Sequence, residues 1–189
     1  MTSQLPALDG KQILIGISGG IACYKTAELV SKLVQYNASV HVIMTEAAKR
    51  FVAPLTFESL SAQPVFDSKW KHIDGHAPQH IALAEMADIM LVAPCTMDMH
   101  AKLANGFADD PISLVCSAIP LSKTPVLLAP SMNVTMLGQA STQRNIQTNI
   151  KDGFTVLGTD EGWQACRAEG DGRLLDTNSL VEALVTALQ

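Results

Sequence analysis

The sequence lacks any cluster of basic residues, and its 13 Lys and Arg side chains are outnumbered by 18 Asp and Glu, which leaves a formal net charge of −5. A nucleic-acid interface or an anionic membrane surface needs concentrated positive charge, so neither is expected as a partner. The apolar runs are too short to cross a bilayer, and the first ten residues lack the basic start and apolar core of a signal peptide. We therefore expect a soluble, cytoplasmic protein that acts on a small molecule.

Closely spaced cysteine pairs are absent as well, because the four cysteines stand far apart at Cys23, Cys95, Cys116 and Cys166. Neither a zinc knuckle nor a disulfide framework is indicated, and reduced thiols are expected. His72, His76 and His80 stand at helical spacing and could imitate a metal-binding face. Gly75 and Pro78 make a continuous helix there unfavourable, so no metal site is predicted.

Aromatic residues make up only 5% of the chain and hydrophobic residues 48%, which predicts a core of aliphatic side chains. Continuous apolar runs, typical of strands buried on both faces, occupy residues 12–17, 39–44, 89–93, 125–129 and 155–157. Segments that favour helix separate or follow them at residues 21–36, 47–51, 80–87, 99–104, 110–118, 139–150 and 177–189. This alternation predicts one α/β domain over residues 1–189, a doubly wound, Rossmann- or flavodoxin-like parallel sheet with helices on both faces.

Three further segments have less regular patterns. Residues 1–10 are predicted to be loose, and residues 54–64 to mix turn and helix. Residues 158–173 are rich in glycine and polar side chains, which predicts a loop.

Small hydroxyl and backbone groups follow the predicted strands, at the edge where a parallel sheet of this kind binds its ligands. The residues concerned are Ser18, Gly19, Gly20 and Ile21, then Thr45, then Pro94, Cys95, Thr96 and Met97, and finally Pro130, Ser131, Met132 and Asn133. Glycines between a strand and a helix allow backbone amides to approach a phosphate. The first loop is not a GxGxxG motif, and Thr45 is neutral where an NAD site favours a carboxylate, so a mononucleotide such as FMN fits better. A simple tight turn is the alternative for the glycines.

Three stretches of the chain resemble the flavin-dependent cysteine decarboxylases, a family that includes phosphopantothenoylcysteine decarboxylases and decarboxylases of peptide antibiotics. "GISGGIACYKT" at residues 16–26 resembles the family's FMN phosphate turn. "HIALAEMADIMLVAPCTMDMHAKLANGFADD" at 80–110 and "PSMNVTM" at 130–136 are similar to its other landmarks. The resemblance implies FMN as cofactor, bound by Ser18, Gly19, Gly20, Ile21, Thr45, Phe51, Ala93, Pro94, Cys95, Thr96, Met97 and Ala129.

The resemblance also implies the substrate contacts, which are assigned to Met132, Asn133, Met136 and Arg173. Asn133 would grip the carboxylate that leaves, and a neutral amide suits this role because it donates without a lasting charge pair. A helix cap is the alternative for Asn133, and packing in gaps of the core is the alternative for the two methionines.

His80 and Cys166 complete the catalytic residues that the resemblance implies. His80 matches the family's catalytic histidine, and a group that titrates near neutrality suits proton transfer. Cys166 lies in "QACRAEGDGR" at residues 164–173, similar to a loop that covers the substrate and supplies a proton. A structural thiol is its alternative. The chain departs from the family pattern at Arg167, where glycine is usual, and at Leu137, where Trp is common.

The expected reaction is FMN-dependent decarboxylation of 4'-phospho-N-pantothenoylcysteine to 4'-phosphopantetheine in coenzyme A biosynthesis. The resemblance implies that flavin oxidises the thiol to a thioaldehyde, that carbon dioxide leaves, and that hydride returns while Cys166 supplies a proton. An oxidative decarboxylase of a peptide's C-terminal cysteine and a non-catalytic flavoprotein regulatory subunit are the alternatives. A flavin prenyltransferase is a further relative, but the 130–136 motif and the Cys166 loop do not suit it.

The resemblance further implies a homotrimer or homododecamer that builds each flavin site between neighbouring subunits, so that His80 would face a flavin held mainly by another chain. Many relatives are fused to a ligase that makes the substrate. The 189 residues leave no room for one, so a separate phosphopantothenate-cysteine ligase is the expected partner.

Overall fold

The computed structural model describes residues 5–70 and 78–189. The strands are β1 Gln12–Ile17, β2 Ser39–Met44, β3 Ile89–Cys95, β4 Val126–Pro130, β5 Thr155–Val156, β6 Asp160–Trp163 and β7 Glu169–Arg173. The helices are α1 Cys23–Gln35, α2 Pro54–Ser61, α3 Gln79–Met86, α4 Met97–Ala104, α5 Pro111–Ala118, α6 Val134–Leu137, α7 Ala140–Lys151 and α8 Thr177–Ala187. A 3₁₀ turn covers Ala48–Arg50.

The first five strands form a parallel sheet in the order β2-β1-β3-β4-β5, and β6 pairs antiparallel with β7 as a separate hairpin. From β1 the chain first adds β2 on one side and then crosses to add β3, β4 and β5 on the other side, so β1 and β3 are neighbours within the sheet. This is the flavodoxin-like arrangement, and its ligand edge lies beyond the carboxyl ends of β1 and β3. The predicted fold class is confirmed.

The strands are apolar without interruption because each has a hydrophobic core on both faces. Ile13 and Ile15 of β1 point into one core, which also takes buried side chains of α1, α2 and α8, whereas Leu14 points into the other with those of α3, α4 and α5. In β3 Leu91 and Val92 divide between the cores in the same way. Each such side chain contributes roughly 1.5–3 kcal/mol when fully buried, so the sheet holds the loops at its carboxyl edge on a rigid base.

Two successive helices, α4 and α5, begin at side-chain caps close to this edge. Thr96, directly after β3, accepts a hydrogen bond from the Met99 amide and begins α4. Asp110 caps α5 in a reciprocal capping box with Ser113, and Pro111 occupies the first helical position. Both helices begin where a side chain accepts a hydrogen bond from a backbone amide that would otherwise be unpaired.

Two segments differ from the sequence expectation. The prediction of a loose segment over residues 1–10 is wrong for residues 5–10, because Leu8 is fully buried and the Gly10 amide donates to Asn37 O. The polar segment 158–173, predicted to be a loop, contains the β6–β7 hairpin. His72, Gly75 and His76 lie outside the described residues.

The remaining predicted elements agree with the structure to within two residues at most ends. The strand predicted at residues 89–93 continues to Cys95, and the helix predicted at 99–104 begins at Met97. Across residues 5–70 and 78–189, no helix is both long enough and apolar enough to span a membrane.

Candidate active site

A cavity of about 770 Å³ opens at the carboxyl edge of the sheet. Its floor includes Ser18, Thr45, Thr96 and Ser131, which are the first residues after β1, β2, β3 and β4. The loops that the sequence singled out are therefore brought together at one edge. The opposite wall is the β6–β7 hairpin with the turn that joins its strands, a part of the site that the sequence does not predict as regular structure.

Gly19, in the glycine loop after β1, is packed too tightly to carry a side chain. A Cβ placed on Gly19 would lie 2.4 Å from the Cβ of Ala47, in the loop after β2. Within the described residues, the backbone amides of Gly19, Gly20 and Ile21 donate no hydrogen bond to another protein atom. Free amides in a turn that lines a cavity, just before α1, match the needs of a phosphate group.

Ser18 ties this loop to the one after β3. Its buried hydroxyl donates to Pro94 O at 2.7 Å and accepts from the Thr96 amide at 3.0 Å. The two loops form one rigid unit at the centre of the floor, and Met97 continues this wall of the cavity.

The other residues assigned to the cofactor lie behind or beside the cavity lining. Ala93, Cys95 and Ala129 are fully buried within the strands. Phe51 is half-exposed after the 3₁₀ turn and does not line the cavity of this chain. A role in cofactor binding stays a prediction for these four residues, for Pro94, and for the assigned residues that line the cavity.

Asn133 and Cys166 meet inside the cavity although they are 33 positions apart in sequence. The Asn133 side chain uses its two ends differently. Oδ1 accepts from the Thr135 amide at 2.8 Å and caps α6, while Nδ2 donates to Cys166 Sγ at 3.0 Å. Met132 and Met136, the two methionines assigned to the substrate, line the same wall.

Cys166 is exposed in the turn of the hairpin, unlike Cys23, Cys95 and Cys116, which are buried. A hydrogen bond with the backbone at Ala168, together with the one from Asn133, lowers the pKa of the Cys166 thiol. Burial raises the pKa of the other three thiols. Cys166 is therefore the cysteine suited to acid–base chemistry.

The hairpin reaches Asn133 because β7 lies directly on the segment after β4. Met132 N donates to Gly172 O at 2.9 Å, and a Cβ on Gly172 would lie 2.2 Å from Met132 O. Arg173 follows, lines the cavity, and donates through Nη1 to Glu161 O across the hairpin at 3.3 Å. Gly172 has a φ of +111°, which a residue with a side chain rarely adopts.

Three features of the lining are absent from the sequence prediction. Gln164 is buried between Asn133 and the hairpin and hydrogen-bonds to both. Trp163 is 65% exposed beside it.

The third feature is Lys102, whose Nζ lies 2.9, 3.1 and 3.8 Å from carboxylate oxygens of Asp110, Asp109 and Asp98. Burial opposes protonation of Lys102, but hydrogen bonds to Asp110 and Asp109 raise its pKa to about 12, so this side of the cavity keeps a permanent cation.

His80 lies at the start of α3, partly exposed, and does not line the cavity of its own chain. His41 bonds to Ser39 and Gln12 at the other end of the sheet, and His100 is buried against Asn149. The described residues contain no group of three or more His, Cys, Asp or Glu placed to hold a metal ion.

The profile of the Flavoprotein family matches residues 1–189, and the chain belongs to that family. The coenzyme A biosynthesis bifunctional protein CoaBC of Vibrio cholerae is 44% identical over 177 residues, which are 94% of this chain and 44% of that protein. The chain thus spans less than half the length of the curated relatives it matches.

Solved structures support the same fold. The FMN-dependent cysteine decarboxylase SpaF superposes with a TM-score of 0.81 at 23% identity, over 96% of this chain and 98% of that one. A PPC decarboxylase variant complexed with pantothenoylaminoethenethiol superposes with a TM-score of 0.79 at 24% identity, over 94% and 97%.

Gly19→Ala tests the tight packing of the glycine loop. The added methyl would overlap Ala47 and push the loops after β1 and β2 apart, at a cost of roughly 1–3 kcal/mol in the free energy of unfolding. Gly158→Ala is the control, because no atom lies within 4 Å of its Cβ position. Denaturant unfolding should show a lower midpoint for Gly19→Ala alone, and equal midpoints for the two variants would contradict this packing.

Proposed function

We propose that the chain is an FMN-dependent decarboxylase that converts 4'-phospho-N-pantothenoylcysteine to 4'-phosphopantetheine in coenzyme A biosynthesis. The observation that carries the proposal is the meeting of an amide donor and a thiol, Asn133 and Cys166, in a cavity that also contains the glycine loop. In this reaction the amide would hold the carboxylate that is lost, and the thiol would protonate the carbon that remains, so the two groups need to lie side by side. The relatives named for coenzyme A biosynthesis support the same substrate.

FMN is the proposed cofactor, and the free amides of the glycine loop would hold its phosphate. The exposed apolar side chains of Ile21 and Met136 would pack against its ring system. When bound, FMN supplies a reversible two-electron oxidation at the thiol-bearing carbon, so that the whole reaction replaces a carboxylate by a proton without net redox change. The flavin-dependent family and the FMN-dependent structural relative support this assignment.

Asn133 is proposed to hold the substrate carboxylate. Its Oδ1 is occupied by the cap of α6, so a ligand would bind at the donor Nδ2, where a carboxylate would take the N–H that now points at the Cys166 sulfur. A donor orients the carboxylate but carries no charge that would oppose the loss of carbon dioxide.

Cys166 is proposed to return the proton after carbon dioxide has left. The thiol stands 3.0 Å from the amide that holds the carboxylate, hence close to the carbon that loses it. Its lowered pKa makes it a better acid than an ordinary thiol. Decarboxylation of a peptide's C-terminal cysteine is the second candidate, because the SpaF structure has the same fold, but a reaction that stops at the enethiol needs no such proton donor.

The assembly and the partner are proposed with the activity. We expect a homotrimer or a dodecamer of the chain, which would allow His80 to face the cavity of a neighbouring subunit. The amide bond between phosphopantothenate and cysteine requires a phosphopantothenate-cysteine ligase, which we place outside residues 1–189. A cytoplasmic location stays a prediction.

Incubation with the substrate tests the central proposal. The purified protein should be yellow, release FMN on denaturation, and convert phosphopantothenoylcysteine to a product that is lighter by carbon dioxide, as measured by mass spectrometry. A colourless protein that cannot be loaded with FMN would overturn the proposal.

Cys166→Ser separates the two candidate reactions. Oxidation and loss of carbon dioxide precede the proposed protonation, so the variant should still release carbon dioxide. A serine hydroxyl is a far weaker acid than a thiol, so the product should be the enethiol, about two mass units lighter than phosphopantetheine. Ala165→Ser, which adds a hydroxyl in the same turn but keeps the thiol, should give phosphopantetheine. Phosphopantetheine from Cys166→Ser at the unmodified rate would make the cysteine structural.

Mixed oligomers test the place of His80. His80→Asn removes the imidazole, and Asn133→Asp sets a like charge against the substrate carboxylate, so each variant alone should be nearly inactive. If His80 serves a neighbouring subunit, random mixing restores both intact residues at roughly a quarter of the sites.

The control is a mixture of Asn133→Asp with Cys166→Ser, whose altered residues share one cavity of one chain. No site in that mixture is intact, so it should form no phosphopantetheine. Failure of the first mixture to recover activity, once native mass spectrometry has shown subunit exchange, would contradict the shared site.

A further inference from the structure

Gln164 is a buried amide at the end of β6, in a part of the hairpin whose other side chains are open to solvent. Its exposed fraction is 7%, whereas Trp163, Ala165 and Cys166 around it are exposed. A buried amide needs hydrogen-bond partners for both of its ends.

Backbone groups with fixed roles determine which way this amide points. Gln164 Nε2 donates to Asp171 O at 2.6 Å, and a carbonyl can only accept. Gln164 Oε1 accepts from the Val134 amide at 3.2 Å, and an amide N–H can only donate. Exchanging the nitrogen and the oxygen would break both contacts, so one orientation is strongly favoured.

The same Oε1 faces the side chain of Asn133. Asn133 Nδ2 donates to Gln164 Oε1 at 3.3 Å and to Cys166 Sγ at 3.0 Å, while Asn133 Oδ1 accepts from the Thr135 amide at 2.8 Å. A turn of the Asn133 amide by half a rotation would set two oxygens against each other and remove the cap of α6. Asn133 is thus constrained at both of its ends.

We propose that Gln164 is a positioning residue, which accepts from one N–H of the Asn133 amide and so directs the other N–H toward Cys166 and the cavity. Its consequence for turnover rests on the proposed function, because the group that the amide would grip is the substrate carboxylate. A carboxylate accepts only, and a donor held in place before binding needs no reorientation when the substrate arrives. Gln164 also links β7 to α6, because it bonds to Asp171 O and to the Val134 amide. The position of Asn133 therefore depends on the position of the hairpin.

Gln164→Glu gives the sharpest test, because a carboxyl group can copy the amide in only one of its protonation states. The protonated form donates to Asp171 O and accepts from Asn133, as glutamine does. The ionised form would set a bare oxygen against Asp171 O, which disfavours ionisation and raises the pKa of the introduced group above that of an ordinary glutamate.

The turnover of Gln164→Glu relative to the unmodified enzyme should therefore fall roughly tenfold at pH 8 and recover as the pH is lowered toward 5. Gln164→Met, which lacks both the donor and the acceptor of the amide, should lose activity and should not recover it at low pH. Gln143→Glu is the matched control, since Gln143 Nε2 also donates to a backbone carbonyl, Leu137 O at 2.7 Å, but on the exposed surface of α7. It should follow the unmodified pH profile.

Alkylation of Cys166 gives a readout that does not depend on decarboxylation. Cys166 is the exposed cysteine among four, so the pH dependence of its reaction with iodoacetamide in the holoprotein reports the titration of this thiol. In Gln164→Met the freed Asn133 amide should bond less well to the sulfur than its present 3.0 Å contact allows. Gln164 Oε1 also lies 3.6 Å from the sulfur, but this is the longer contact, so the titration should move toward higher pH. Gln143→Glu should leave it unchanged.

Two results would overturn the positioning role: an unshifted thiol titration in Gln164→Met, or a pH profile of Gln164→Glu that parallels the unmodified one. An unmodified protein that does not decarboxylate the substrate would instead refute the proposed function, and the alkylation comparison would still decide the role of Gln164.

Discussion

The close contact between Gly172 and Met132 is the constraint on which the cavity depends. The main chains of β7 and of the segment after β4 approach so closely that a Cβ on Gly172 would lie 2.2 Å from Met132 O. The approach is held by one backbone hydrogen bond and by the side chain of Gln164. Without it the hairpin would lose its contact with the segment after β4, and the thiol of Cys166 would have no fixed distance to Asn133.

The sheet could be predicted from the sequence because its strands are buried on both faces. A short, continuous apolar run such as Gln12–Ile17 is stable in a globular protein when it forms a strand that is buried on both faces. The predicted and observed limits of this strand coincide. The hairpin could not be predicted in this way. The sequences of Asp160–Trp163 and Glu169–Arg173 contain glycines and charges in place of an alternating apolar pattern, and their pairing is supported by contact with a distant segment.

The departure from the family pattern at Arg167 has a structural explanation. Gln164 N bonds to Ala168 O, so residues 165–167 form a three-residue hairpin loop, and Arg167 closes it with a φ of +65°. This is the left-handed position that favours glycine, at a cost of roughly 1–2 kcal/mol for other residues. The side chain of Arg167 is exposed. The turn therefore presents Cys166 in spite of the substitution, and the thiol still meets Asn133.

Asn133 shows why the candidate site could be predicted only in part. From the sequence, a helix cap and a carboxylate grip are competing interpretations of one residue. In the folded chain an amide has two ends, so the cap on Oδ1 leaves the donor end with one N–H on Gln164 and the other toward Cys166 and the cavity. The helix so capped, Val134–Leu137, has only four residues and buries none of them, too little to stabilise itself. The effect of this helix at the site is to occupy the Asn133 oxygen. The sequence alone does not reveal this role, because it depends on Gln164, which is distant in sequence but lies beside Asn133 in the structure.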